Sequence, residues 1–182
     1  MMESSQKSLV KIAPSPVLVA SYPTDNVRHR LIYLEGLVAP MSLQDAKIDP
    51  SLSEYMPRIE EMYNAPFVRY LGIELVSMTA DEVRTRLELR PELLNSHGIG
   101  HGGTVYTLAD HTFAFASNIT QDATGHSSNI TYFRPATGRY LEAVSRRINA
   151  SRSFGTYEVC VYSDAGKLVA SGTFTAFNIR RE

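Results

Sequence analysis

HGIGHGGTVYTLADHTFAFASN, the stretch from His97 to Asn118, joins a glycine-broken loop to a long apolar segment. The apolar segment predicts a helix over Thr104–Ser117, and because it is apolar on nearly every side we expect it to be buried centrally. Its single acid is Asp110, which is costly to bury amid hydrocarbon unless it is paired or used in chemistry. The loop also presents unpaired backbone N–H groups at a helix N-terminus, where an anion or a polarised carbonyl oxygen is favoured.

The segments on either side of this helix have the alternating pattern of β-strands. In Glu82–Leu89 apolar and charged residues alternate, so one face is predicted to be buried. Short turns such as Asp164–Gly166 join the later strands, which makes those strands antiparallel neighbours. The predicted strands are Ile73–Met78, Glu82–Leu89, Ser128–Arg134, Tyr140–Asn149, Thr156–Ser163 and Leu168–Asn178. The fold class is therefore α+β, with an antiparallel sheet of five to six strands curled around one long helix.

The N-terminal part of the chain differs in composition and in hydrophobic pattern. Residues 1 to about 23 are rich in Ser and Pro and predict a partly flexible or surface-draped tail, and residues 24 to 38 fit a short helix or a short strand equally well. From Leu52 to Tyr63 apolar residues follow at helical spacing, and Pro57 predicts either a kink or a helix that begins near Met56. We therefore divide the chain into an N-terminal extension, residues 1–55, and a domain, residues 56–182.

Composition narrows the class of partner and the compartment. The formal net charge is −1, which points to neither nucleic acid nor an anionic membrane as a partner. No apolar run approaches the roughly 18 residues of a membrane span, and the N-terminus lacks the pattern of a secretory signal. Cys160 is the only cysteine, so no intrachain disulfide forms. We expect a cytoplasmic protein without a cofactor.

Two motifs in the loop lack the structural context that a nucleotide site or a metal site requires. Gly98, Gly100 and Gly103 have the G-x-G-x-x-G spacing of a dinucleotide-binding loop, but that motif directly follows a strand in a parallel βαβ unit, which is not predicted here. His97 and His101 are four residues apart, yet this spacing brings two histidines together only on a helix, and the intervening glycines break one. No metal site is predicted.

Asp110 and His101 each allow a structural and a functional interpretation. A mid-helix acid can simply pair with a backbone group or a lysine, but no Lys or Arg lies within one turn of Asp110, and its neighbours at i−4 and i+3 are Tyr106 and Phe113. These surroundings favour a functional role for Asp110 over a structural one. For His101, a loop-stabilising hydrogen bond and a direct contact with a substrate fit equally well and are compatible.

Several segments at fixed spacing now point to a family. Asn95, five residues, His-Gly-Gly and then Leu-Ala-Asp make up the segment that ends at Asp110, and LGIEL at Leu71–Leu75 and TYFRPA at Thr131–Ala136 support it. From about Tyr63 to Ile179 the chain thereby resembles the hotdog-fold acyl-CoA thioesterases of the phenylacetate-degradation (PaaI-like) group. The resemblance implies a sheet wrapped around a central helix, two subunits joined edge to edge with active sites at their interface, and pairing of dimers into tetramers.

The resemblance also implies roles for individual residues. Asp110 is the catalytic carboxylate, which either attacks the thioester or activates a water that does. Gly102 supplies the N–H that receives the thioester oxygen, and His101 and Asn95 hold that loop and position the carbonyl or the water. In the family the acid and the glycine loop of one site come from different subunits.

Substrate contacts are implied at a second set of positions. Arg134 and Arg152 lie near the family's path for the coenzyme A phosphates, although a solvated edge charge is the competing interpretation of each. The full set is His97, Gly103, Tyr106, Phe113, Ser127, Ser128, Arg134 and Arg152. Tyr106, Phe113 and Phe115 permit an aromatic or a medium-chain acyl group, and the sequence does not choose between them.

The leading hypothesis is hydrolysis of an acyl- or aryl-CoA thioester to free acid and CoA. Two alternatives on the same fold are a non-hydrolytic acyl-CoA binding module and a dehydratase, although the HFPG-like context of a dehydratase is absent. The chain departs from the family at His111, which is usually a small residue, and in its first 55 or so residues, which have no counterpart in a minimal member.

Overall fold

The computed structural model describes residues 42–179. The predicted tail and the short helix or strand at residues 24–38 lie outside the described residues. Within the described range the chain forms a sheet that curls around one long helix, as the sequence predicts. The helices are α1 (Met56–Tyr63), α2 (Pro66–Leu71) and α3 (Gly102–Ser117).

One sheet contains all seven described strands. They are β1 (Lys47–Ile48), β2 (Glu74–Met78), β3 (Glu82–Glu88), β4 (Asp122–Tyr132), β5 (Tyr140–Ala150), β6 (Phe154–Ser163) and β7 (Leu168–Ile179). Their order is β1-β2-β3-β5-β6-β7-β4, and every neighbouring pair is antiparallel except β1–β2. The six predicted strands are all present. The seventh strand, β1, was not predicted, because its two residues are too few to show a period, and it pairs parallel with β2.

The long helix α3 packs across β3, β5 and β6, which confirms the predicted central helix. Leu108, Ala109 and Phe115 are buried at 0–1% exposure. A buried polar pair also ties α3 to β3: the Thr112 hydroxyl donates to the Leu108 carbonyl at 2.6 Å, so the Thr85 hydroxyl, 2.6 Å away, is the donor to Thr112. This arrangement leaves neither hydroxyl unpaired in the core.

The segment before the sheet contains one element that was predicted and one that was not. A 3-10 helix over Pro50–Tyr55 leads into α1, which places Pro57 in the first turn, where a missing N–H costs nothing. The prediction of a helix that begins near Met56 is therefore confirmed. The helix α2 was not predicted: Pro66 begins it, and Gly72, with φ at +73°, ends it.

Residues 42–55 join the folded unit rather than standing apart from it. Leu52 is 3% exposed and packs in the same cluster as Ile59 and Phe115, and β1 pairs with β2. Further along, the Arg58 guanidinium ties α1 to the end of α3, since it donates to the Asn118 and Gln121 carbonyls and pairs with Asp122. The division proposed at residue 55 thus falls inside a packed segment.

The strand β4 begins at Asp122, six residues before the predicted start at Ser128. Its first half, DATGHS, has no apolar alternation because β4 is the last strand of the sheet and most of its residues are exposed. A register shift between Gly125 and Ser127 leaves His126 as the extra residue of a bulge opposite β7. Bulges of this kind are common next to active sites.

Gly172 lets β4 approach β7 closely. It pairs with Ile130, and a Cβ at position 172 would overlap the Asn129 carbonyl oxygen and lie 3.0 Å from the Ile130 Cα. We expect Gly172→Ala to lower the free energy of unfolding by about 2–3 kcal/mol, because the obstruction is backbone. Gly125→Ala in β4 is the matched control, since its Cβ would only touch the Phe113 ring at 3.9 Å. Urea titration tests the pair, and equal stability of the two variants would contradict the prediction.

Candidate active site

The start of α3 presents a free backbone donor. His101 is the N-cap residue, and its Nδ1 accepts a hydrogen bond from the Gly103 N–H at 2.9 Å. The Gly102 N–H, at the first helical position, has no acceptor among residues 42–179. It therefore stands at the positive end of the α3 dipole, ready for an anion or a carbonyl oxygen. The structural interpretation of His101 holds, and its Nε2 remains available for other contacts.

The loop that leads to α3 is held by its own hydrogen bonds. The Asn95 side-chain oxygen accepts from the backbone N–H groups of His97 at 2.9 Å and Ile99 at 3.4 Å. The Gly100 N–H donates to the Ala136 carbonyl at 2.8 Å, and a Cβ at Gly100 would lie 2.8 Å from that of Ala136. Asn95 and Gly100 thus fix the path of the loop, while the His97 side chain is exposed.

Asp110 is exposed in the single chain. The prediction of a buried acid is therefore wrong for one chain on its own. Its apolar sequence neighbours Leu108 and Ala109 point into the core, whereas Asp110 lies on the opposite side of α3. Partial desolvation by the surrounding protein raises the pKa of the Asp110 carboxyl above its usual 3.8. No cation of the described residues 42–179 pairs with it.

A small cavity lies between α3 and β4 at Asp110. Its volume is about 200 Å³, and its wall consists of Tyr106, Asp110, Phe113, Gly125, His126, Ser127, Ser128 and Phe174. The Tyr106 hydroxyl lies 2.6 Å from the Ser128 hydroxyl, so these two polar groups form one hydrogen-bonded pair beside the acid. The cavity thus combines an acid, two hydroxyls and aromatic rings, and it includes five of the predicted site residues.

Ser127 and Ser128 point to different faces of the sheet. Ser128 lies opposite Phe174, whose ring packs against those of Tyr106 and Phe113 on α3. Ser127 lies opposite Thr175, so the strand pleat turns its side chain to the face away from α3. Of the two serines, Ser128 alone therefore presents its hydroxyl beside Asp110.

His126 lines the cavity and was not among the predicted site residues. It is the bulged residue of β4, and its ring stacks edge to face on Phe154, with centroids 5.2 Å apart. The pair Gly125-His126 within a strand is the signal that could have revealed it, because glycine inside a strand often marks a bulge.

The predicted oxyanion donor and the predicted acid are far apart within one chain. Gly102 and Asp110 are eight residues apart on α3, which corresponds to about 12 Å along the helix axis. A single thioester carbonyl cannot contact both groups at once. The chain thus carries the two halves of the predicted site without bringing them together.

The two predicted phosphate-contacting arginines lie at opposite ends of β4. Arg134 lies two residues beyond the end of β4, and one of its guanidinium nitrogens donates to the Leu168 carbonyl at 2.9 Å. Arg152 lies in the turn between β5 and β6, two residues before Phe154, which is near the beginning of β4. Both are exposed, and one chain does not bring them together.

His111, the next residue after the acid, is largely buried. It borders a groove of about 380 Å³ between α1 and α3, and its ring stacks on Phe115 at 4.8 Å. The buried Nε2 has no hydrogen-bond partner in the described part of the chain. Burial lowers the pKa of His111 from 6.5 to about 4, so the ring is neutral at physiological pH.

The low pKa of His111 predicts an acid-sensitive fold. Because the unfolded chain binds a proton near pH 6.5 and the folded chain only near pH 4, stability is complete above pH 6.5 and falls as the pH is lowered toward 4. At pH 5 the loss is about 2 kcal/mol. His111→Leu removes this part of the pH dependence, whereas His126→Leu, at an exposed histidine, does not. Urea melts from pH 7.5 to 4.5 measure the effect, and parallel curves for wild type and His111→Leu would refute it.

The described residues offer neither a metal centre nor a membrane helix. No group of three His, Cys, Asp or Glu side chains within residues 42–179 is placed to hold a metal ion. None of the helices in this range is long and apolar enough to cross a membrane.

Comparison with known proteins agrees with this geometry. Residues 97–170 match the model of the thioesterase superfamily. The structure of the TT0310 protein from Thermus thermophilus is 40% identical, with a TM-score of 0.61, and the match covers 64% of this chain and 99% of that one. The structure of the PaaI protein from Escherichia coli is 25% identical, with a TM-score of 0.67, over 70% of this chain and 95% of that one.

Sequence relatives extend the same picture. The acyl-coenzyme A thioesterase PaaI of Escherichia coli is 28% identical over 109 residues, which are 59% of this chain and 78% of that protein. A relative from Deinococcus radiodurans is 32% identical, and the match spans 64% of its length. The chain belongs to the thioesterase superfamily, among the hotdog-fold, PaaI-like thioester hydrolases.

Proposed function

We propose that the protein hydrolyses acyl- or aryl-CoA thioesters to a free acid and CoA, in sites that each draw residues from two copies of the chain. The observation that carries this proposal is the pair of an unpartnered Gly102 N–H at a helix start and an Asp110 carboxylate on the same exposed side of α3. Because about 12 Å separates them within one chain, a second copy has to supply one of them. The named relative that acts on acyl-coenzyme A agrees with the substrate class.

The chemistry of the site follows from these two groups. The Gly102 N–H donates a hydrogen bond to the thioester oxygen as negative charge develops on it, which stabilises the tetrahedral transition state. Asp110, in its carboxylate form, either attacks the carbonyl carbon, so that CoA leaves as thiolate and water then hydrolyses the mixed anhydride, or removes a proton from the attacking water. Both routes add one water across the C–S bond.

The surrounding residues position these groups. His101 accepts a hydrogen bond from the Gly103 N–H and so sets the direction of the first turn of α3. Asn95 holds the loop before this turn. The hydroxyl pair of Tyr106 and Ser128 lines the cavity beside the acid, where it can hold the attacking water. Gly103 acts through its N–H on His101 rather than on the substrate.

A panel of CoA thioesters tests the assignment. Straight-chain acyl, phenylacetyl and benzoyl esters are offered to the full chain, and release of free thiol is followed alongside analysis of the acyl product. We expect thiol release in equal amount to free acid for at least one ester. Tight binding without turnover would instead support a binding module, and an enoyl product would support a dehydratase. Association of dimers into tetramers stays a prediction, which light scattering on the same sample measures.

Contact with the coenzyme A phosphates predicts a selective effect of Arg152. If Arg152 binds a phosphate, Arg152→Ala raises KM for an acyl-CoA about tenfold and leaves the KM for the matching acyl-pantetheine, which lacks those phosphates, unchanged. Arg139→Ala is the control. Arg139 is also exposed, but it follows β4 in the chain and lies next to Asp164. An equal KM change for both thioesters would show that Arg152 acts on something other than phosphate.

A further inference from the structure

We propose that the ring of Phe113 sets the longest acyl group that the site binds, because it closes a passage from the cavity beside Asp110 into a second cavity at the far end of α3. This inference rests on the proposed function, since it takes the cavity beside Asp110 as the place of the acyl group. It goes further by naming the residue that limits the length of the acyl chain and the space that lies behind this residue.

The second cavity lies at the C-terminal end of α3, on the side of the sheet that faces the helix. Its volume is about 270 Å³. Its apolar wall comes from Ala116 on α3, from Ile119 just after α3 and from the ring of Tyr157 on β6, which is 4% exposed. Arg147 and Asn178 add polar groups. The two cavities share no lining residue, so they are separate spaces in the described part of the chain.

A row of small residues crosses the sheet from one cavity to the other. Its members pair across neighbouring strands and are Gly125 of β4, Ala176 of β7, Gly155 of β6 and Ala150 of β5. The row faces α3, because Ala176 lies two residues after Phe174, whose ring packs on α3. Gly125 lines the cavity beside the acid, and Gly155 lines the second cavity. These two glycines are two strand spacings apart, or about 10 Å.

The ring of Phe113 lies across this row, between the two cavities. On one side it approaches Gly125, where an added Cβ would lie 3.9 Å from the Phe113 Cε1. On the other side it meets the ring of Tyr157 edge to face, with centroids 5.4 Å apart, and Tyr157 in turn lies over Gly155. Phe113 is 3% exposed and also packs on Phe174 at 5.4 Å. The two rings of Phe113 and Tyr157 therefore close the passage along the row.

The cavity beside Asp110 is small as long as this passage is closed. A cavity of about 150 Å³ lined by apolar side chains holds one benzene molecule, so a volume of about 200 Å³ holds a phenyl ring or a chain of roughly six carbons. The further methylenes of a longer chain stay in water and gain nothing from burial. The limit on chain length thus comes from Phe113, because the row of small residues continues beneath and beyond its ring.

Binding of S-alkyl-CoA thioethers to the full chain tests this limit. These compounds carry the coenzyme A of the proposed substrate but have no carbonyl group to hydrolyse, and calorimetric titration gives a Kd for each chain length from butyl to dodecyl. For the wild type we expect the Kd to fall about fourfold with each added methylene until the cavity is full, and then to stay constant. Decyl-CoA should therefore bind no more than about twofold tighter than hexyl-CoA.

Phe113→Ala removes the ring that separates the two cavities. In this variant the Kd should continue to fall beyond hexyl, so that decyl-CoA binds at least about tenfold tighter than hexyl-CoA. Phe113→Leu retains more of the core volume and should change the ratio of the two Kd values in the same direction but less, so it serves if the alanine variant does not fold.

Ala150→Leu is the matched control, because Ala150 is exposed and lines the second cavity alone. By itself this substitution should leave the ratio of the wild type unchanged. Combined with Phe113→Ala it partly fills the second cavity and should return the ratio toward that of the wild type. Thermal denaturation shows which of the variants are folded.

Each other outcome overturns the proposal. A wild-type Kd that keeps falling from hexyl to decyl shows that Phe113 is not the limit. A ratio that stays at the wild-type value in the folded Phe113 variants, or a raised ratio that Ala150→Leu does not reduce, shows that the chain does not enter the second cavity. Because no hydrolysis is measured, the Kd values decide the matter even if no thioester is cleaved. An unchanged ratio together with thiol release overturns this inference alone, whereas absence of binding by every thioether counts against the proposed function as well.

Discussion

Asp110→Asn is expected to reduce kcat for CoA-ester hydrolysis about 10³-fold or more. The substitution keeps the size of the side chain but removes the negative charge that attacks the carbonyl carbon or accepts the proton of water. Because Asp110 is exposed and has no ion-pair partner among residues 42–179, the folded chain should lose little stability. Steady-state release of free thiol, together with thermal denaturation, measures the two effects separately.

Glu158→Gln is the matched control, since Glu158 is an exposed acid on β6 and should leave kcat unchanged. The pH profile adds a second measurement. Desolvation raises the pKa of Asp110, so the activity of the wild type should fall as the pH drops through a value above 3.8, where the carboxylate becomes protonated. Activity of Asp110→Asn close to that of the wild type would remove Asp110 from the mechanism.

Gly102→Pro is expected to lower kcat about 10²–10³-fold, because proline has no N–H to donate to the thioester oxygen. The first helical position tolerates proline, and His101, with φ −60° and ψ 142°, already has the extended conformation that a residue before proline requires. The ring carbon at the Cβ position would lie 3.9 Å from Tyr132, an ordinary contact. The helix should therefore form normally.

Gly102→Ala separates the lost donor from the added carbon. Alanine adds the same Cβ but retains the N–H, so its kcat should stay far above that of the proline variant. Circular dichroism and cooperative unfolding confirm that both variants fold. Equal rates for Gly102→Pro and Gly102→Ala would mean that the N–H does not hold the oxygen.

Most of the fold could be predicted from two hydrophobic patterns in the sequence, one typical of strands and one typical of a buried helix. The alternation of Glu82–Leu89 and the apolar run of α3 are strong because each element buries a whole face or side. The elements that were missed are those with little burial or little length. The strand β1 has two residues, α2 has six, and the first half of β4 is exposed at the edge of the sheet.

The sequence predicts candidate residues for the site but not their geometry. The family resemblance implied Gly102, and an acid in an apolar helix pointed to Asp110. Sequence neighbours on a helix point to different sides, so apolar neighbours did not imply that Asp110 is buried. The hydrogen bond between Tyr106 and Ser128 joins residues 22 positions apart, and no local pattern encodes such a contact. His126 was missed because the first half of β4 was not predicted as a strand, so Gly125 was not recognised as a glycine that marks a bulge.

Mixing two inactive variants tests the shared site most directly. Asp110→Asn and Gly102→Pro chains are unfolded together, refolded and assayed for thiol release. If each site takes its acid from one copy and its N–H from the other, half of the dimers are mixed and each carries one intact site, so about a quarter of the wild-type activity returns. If both groups of a site came from the same chain, the mixture would remain as inactive as its components.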